Sequence, residues 1–121
     1  MRFLIERIDH VQVAAPKGEE EAARSFYSGV LGMEEVEKPG ALKARGGAWF
    51  KSGSCQLHVG MEDPFMPAKK AHPAFLVEGY DELREYLTSK GVEFQDDDNI
   101  PGVVRMYVSD PFGNRIELMK G

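Results

Sequence analysis

Four residues of this 121-residue chain carry donor atoms at spacings that repeat: His10, Gln56, His72 and Glu117. Two imidazoles, an amide oxygen and a carboxylate form an N/O set suited to a divalent ion such as Zn, Ni, Co, Mn or Fe(II). Four protein donors on a six-coordinate ion leave two positions for water or for two substrate oxygens. His72 follows His10 by 62 positions, and Glu117 follows Gln56 by 61. His10 to Gln56 spans 46 positions and His72 to Glu117 spans 45. A leucine, Leu57 or Leu118, follows each oxygen donor.

Elements that would position these donors are legible on both sides of the repeat. "DHVQVAAP" at 9–16 and "AHPAFLVEG" at 71–79 each place a histidine ahead of an apolar alternation. Alternation at period two puts His10, Gln12 and Ala14 on one face of a strand, with Val11 and Val13 on the other. The same parity sets His72, Ala74 and Leu76 against Pro73, Phe75 and Val77, and Gln56 and His58 against Cys55, Leu57 and Val59. Glu117 opposes Ile116 and Leu118 after the turn signal "DPFGN". Helical spacing of Ala22, Ala23, Phe26, Tyr27, Val30 and Leu31 predicts a helix from about Gly18 to Gly32. Leu83, Tyr86 and Leu87 predict a second over about 81–90, with Asp81 able to cap its start and Gly91 its end. Short glycine-broken strands, "GAWFKSG", "SCQLHVG", "VVRMYVSD" and "NRIELMK", complete each half.

Each half therefore reads β-α-β-β-β. The expectation is an α+β fold of two tandem modules, about 1–62 and 70–121, within one domain of 1–121. Their strands form a curled eight-stranded mixed sheet around a cleft, with the helices on the outer face.

Bulk properties narrow the functional classes. A formal net charge of −5 argues against nucleic acid or an anionic membrane as partner. One cysteine, Cys55, allows no internal disulfide and fits a reducing cytoplasm. No apolar window approaches the roughly 18 residues of a spanning helix. Asp96-Asp97-Asp98 reads as a solvated loop, and Cys55, on the helix-packed face by parity, as an inert thiol.

"DHVQV", "RSFYSGVLGM", "AHPAFLV", "GVEF" and "DPFGNRIEL" resemble the vicinal oxygen chelate superfamily over almost the whole chain. That group includes glyoxalase I, methylmalonyl-CoA epimerase, fosfomycin-resistance transferases, extradiol dioxygenases and bleomycin-resistance proteins. The resemblance implies His10, Gln56, His72 and Glu117 as ligands of one divalent metal per site, with no organic cofactor. It also implies a homodimer, which the single cysteine and the lack of a signal-like start place in the cytoplasm. An inward Arg105 adds the expectation of a small oxygen-rich substrate. Proton abstraction next to a carbonyl would fall to Glu117, with His58 as a second base, as a substitute for Gln56 on the metal, or as cleft wall. Arg105 and Tyr107 share a face in "VVRMYV". Arg105 is read as a substrate anchor or as the partner of a carboxylate, and Tyr107 as a hydrogen-bond donor or acid. Trp49 is read as substrate-contacting wall.

Departures from the family's patterns steer the choice of reaction. Ala14 stands where glyoxalase I carries a glutathione-binding arginine, and Gln12 where fosfomycin transferases carry threonine. The acidic "QDDDNIPG" takes the place of the transferases' lysine. A glyoxalase-like metal-dependent lyase or isomerase is the first expectation. A drug-sequestering protein without chemistry, an extradiol-type dioxygenase using His10, His72 and Glu117, or a fosfomycin-resistance transferase are the alternatives.

Overall fold

A computed structural model describes residues 2–121. The chain divides into two compact units, Met1–Phe65 and Met66–Gly121, which fall on the two halves of the repeat. In the first unit the order is β1 (Val11–Pro16), α1 (Glu20–Tyr27), β2 (Glu34–Val36), α2 (Gly40–Lys43), β3 (Ala48–Ser52) and β4 (Cys55–Glu62). In the second it is β5 (Ala74–Val77), α3 (Tyr80–Ser89), β6 (Gln95–Asp97), β7 (Arg105–Ser109) and β8 (Arg115–Lys120). Strand pairing runs within each unit, giving two four-stranded sheets of order β1-β4-β3-β2 and β5-β8-β7-β6. Each pairs its first and last strands in parallel and the rest antiparallel. The α+β class and the tandem βαβββ modules are as the sequence predicts.

The sheets divide apolar from polar by strand parity. In the first unit Ala15, Ala48, Phe50, Leu57 and Val59 are buried on one face. Ala23, Phe26 and Tyr27 are the buried residues of α1, and the Tyr27 and Phe50 rings lie 5.5 Å apart. Helix α1 is shorter than predicted. Gly32, at φ 70°, and the irregular bonds Leu31 N–H to Phe26 O and Met33 N–H to Tyr27 O wind the chain out of the helix after Tyr27. Helix α3 ends as expected at Gly91. Val92 N–H reaches Leu87 O while Gly91 N–H reaches Thr88 O, and Gly91 takes φ 70°. Its start differs, since Gly79 rather than Asp81 occupies the cap position, and Asp81 instead accepts from Lys120 on β8.

The two modules are not in identical register. Val11 pairs with Leu57 in the first, whereas Phe75 pairs with Leu118 in the second. With the leucines aligned, the first strands are offset by two residues relative to the histidine repeat. An even offset preserves face parity, so the polar residues stay on the same face of each sheet. Both histidines precede their strands rather than lie within them.

The acidic run is not a solvated loop. Asp96 and Asp97 lie in β6, where Asp96 pairs with Arg84 of α3 and Asp97 with Arg105 of β7. Cross-strand register places Asp97 directly opposite Arg105, which the composition of the run does not reveal.

Candidate functional site

Two sheet residues are buried on the face opposite the helix-packed one, and both are polar: His58 and Glu117, each 5% exposed. Burial of a polar group away from the apolar core has to be explained by its partners.

In the first unit, the two-residue loop with Gly53 first joins β3 to β4 and pairs Ser52 with Cys55. Counting back along that ladder brings Trp49 opposite His58. Their rings stack at 3.9 Å and 2°, and the His10 ring stacks on His58 at 4.1 Å. Burial first, and then the neighbouring His10, push the His58 imidazole below its ordinary range, so it is neutral at pH 7. Its Nε2 is buried without a hydrogen-bond partner among the described residues. Gln56 is half-buried two residues earlier on β4, opposite Lys51. His10 keeps its Nδ1 on the Asp9 carboxylate at 3.0 Å.

In the second unit, Glu117 of β8 forms the centre of a charged network. His72 Nε2 lies 2.9 Å from Oε1, and Arg105 donates to Oε2 at 3.1 Å. Arg105 also donates to Asp97 from Nε and from a terminal nitrogen, at 3.2 and 3.0 Å. Burial alone would raise the Glu117 pKa, but the bonds from His72 and Arg105 outweigh it and hold the carboxyl below the usual range. Tyr107 faces Glu117 across the β7–β8 ladder, with its ring edge-on to His72 at 5.6 Å. The Arg105 and Arg115 guanidinium carbons lie 5.5 and 5.3 Å from the Tyr107 ring centre.

The histidine nitrogens bear on metal binding. His72 Nδ1 faces the Lys70 carbonyl oxygen at 2.8 Å while Nε2 faces Glu117. A neutral imidazole has one proton, so two acceptor oxygens are satisfied only by a second proton or by a cation at Nε2. His10 is oriented alike, with Nδ1 on a carboxylate, the outer contact that fixes a ligating imidazole's tautomer. The donor chemistry of these residues therefore fits a divalent ion. No group of three or more His, Cys, Asp or Glu side chains placed to hold a metal occurs among the described residues.

Residues 7–118 match the Glyoxalase/Bleomycin resistance protein/Dioxygenase superfamily. The chain belongs to this superfamily. A glyoxalase-family protein of Bacillus anthracis is 57% identical, with a TM-score of 0.96 over 100% of this chain and 99% of that one. The fold is shared with lactoylglutathione lyase from Agrobacterium tumefaciens at 22% identity and TM-score 0.68, covering 92% of both chains. It is shared also with the fosfomycin resistance protein FosX of Listeria monocytogenes, at 18% identity and TM-score 0.74, covering 98% of this chain and 95% of that one. No match was found among curated proteins. No helix among the described residues is long and apolar enough to cross a membrane.

Of the site residues read from the sequence of this superfamily member, one unit brings together His10, His58 and Trp49, with Gln56 along the same strand face. The other brings together His72, Glu117, Arg105 and Tyr107. Two features escaped the sequence reading. The histidine–histidine–tryptophan stack was available from the two-residue hairpin loop, which fixes Trp49 opposite His58. Asp97 as second partner of Arg105 depends on β6–β7 register, for which an acidic run gives no signal.

Proposed function

We propose that the protein is a metal-dependent lyase or isomerase acting on a small substrate with two neighbouring oxygens. His10, Gln56, His72 and Glu117 would supply the ligands of one divalent ion. The observation that carries this reading is the Nδ1 contact of both histidines, which turns each Nε2 outward as the ligating nitrogen, that of His72 beside the Glu117 carboxylate that would share the ion. A divalent ion bound there would stabilise negative charge developing on two substrate oxygens. The chain's own groups would handle the proton. Glu117, held ionised by His72 and Arg105, suits a ligand, but its lowered pKa weakens its drive to take a proton. Burial lowers the His58 pKa as well, but an imidazole starts from a higher value than a carboxylate, and its Nε2 is unpartnered among the described residues, so His58 takes the larger share of that role. Tyr107 would donate a hydrogen bond to a substrate oxygen, and Arg105 would keep Glu117 ionised rather than meet substrate.

Hydroxyacetone in D2O tests this reading, because it offers vicinal oxygens and a C–H next to a carbonyl. Metal-loaded protein is expected to speed deuterium entry at the CH2 group over the metal-only control, and EDTA to abolish the effect. His58→Ala should slow exchange about 10²-fold or more, the range for loss of a general base, with metal content unchanged. Tight binding of the probe without exchange would favour a sequestering protein.

A further inference from the structure

We infer that Arg115, rather than Arg105, receives the anionic end of a ligand, and that this ligand is an aromatic or apolar monocarboxylate. The inference rests on the reading of the polar sheet face of the second unit as its substrate face.

Arg105 already has its charge balanced by two carboxylates, since three of its five N–H donors go to Asp97 and Glu117. Arg115 shares the face of Glu117 by strand parity and is exposed. It enters no ion pair among the described residues and touches the Tyr107 ring from a position 5.3 Å from its centre. Beside it lies a cavity of about 920 Å³, lined by Arg115, Tyr107, Phe94, Val92, Gln95 and Glu93 among others. That volume lies within the range of about 300–1,000 Å³ that holds drug-sized ligands. Tyr107 and Phe94 provide ring faces and edges, Val92 adds aliphatic contact, and Gln95 and Arg115 provide donors. A guanidinium fork matches the two oxygens of a carboxylate. Glu93 adds a negative group to the same lining, which opposes a dianion such as phosphate more than a monoanion. The cavity therefore selects one negative charge on an apolar body.

The test uses the full chain, stripped of metal with EDTA, and follows backbone amides by NMR during titration with benzoate, benzyl alcohol and inorganic phosphate. Benzoate is expected to shift amides in 91–95, 107–109 and 115, and benzyl alcohol, its neutral counterpart, to bind several-fold more weakly. Arg115→Ala should weaken benzoate by about tenfold or more, as expected for loss of a charge-assisted bond, and Arg115→Lys by less. Equal benzoate affinity in wild type and Arg115→Ala, or shifts confined to other segments, would overturn the inference. Phosphate binding more tightly than benzoate at the same amides would overturn the carboxylate assignment. Because the protein is free of metal, failure of the metal reading leaves this result standing, and failure here leaves metal binding standing.

Discussion

Phe50→Ala is expected to destabilise the protein by about 3–5 kcal/mol, the range for deleting a buried aromatic ring. Phe50 is fully buried in the middle of β3, opposite Leu57 on β4 and 5.5 Å from the Tyr27 ring of α1. The ring thus contacts a neighbouring strand and the helix above it. Its loss leaves a cavity that β-ladder geometry prevents from collapsing fully. Urea unfolding of the two proteins measures the difference. A loss below about 1 kcal/mol would mean that the helix and sheet of the first unit repack freely around the vacancy. Phe50→Leu, which keeps most of the apolar volume, should recover much of the stability.

Glu117→Ala should cost about 3 kcal/mol in metal-free protein, the combined scale of two charge-assisted hydrogen bonds discounted for non-additivity. Removing the carboxylate leaves His72 Nε2 without its partner and leaves Arg105 only Asp97. The retained Asp97 pair keeps the loss below that of an entirely uncompensated buried charge. Glu117→Met separates two contributions. It restores apolar contact but not charge, so a well-tolerated methionine would show that the network serves the site rather than the fold. Both variants should lose metal, and a Glu117→Ala protein with native stability and native metal content would remove Glu117 from both roles.

Much of this architecture is written in local pattern. "SCQLHVG" and "NRIELMK" alternate cleanly because one face of each strand meets a helix-packed core, and the repeat of such strands at near-equal spacing exposes the modules. Parity alone put His58 and Glu117 on the face away from the core, where both are found. What parity cannot give is register. The two-residue offset between the modules leaves every side chain on its predicted face, so the pattern is blind to it. The pairing of Arg105 with Asp97 was hidden for the same reason, because a run of three aspartates reads alike whether solvated or laddered against arginine. Helix α2 at Gly40–Lys43 also left no pattern, as a single turn offers too few positions for a helical stripe.

The most direct test of the central claim is quantification of divalent metal in protein purified without added metal and after titration with zinc, nickel, cobalt or manganese. One ion per chain is predicted for wild type. His72→Ala should lose most of it, and the His10→Ala/His72→Ala double variant should lose all specific binding while remaining folded. Full metal content in the folded double variant would contradict the account.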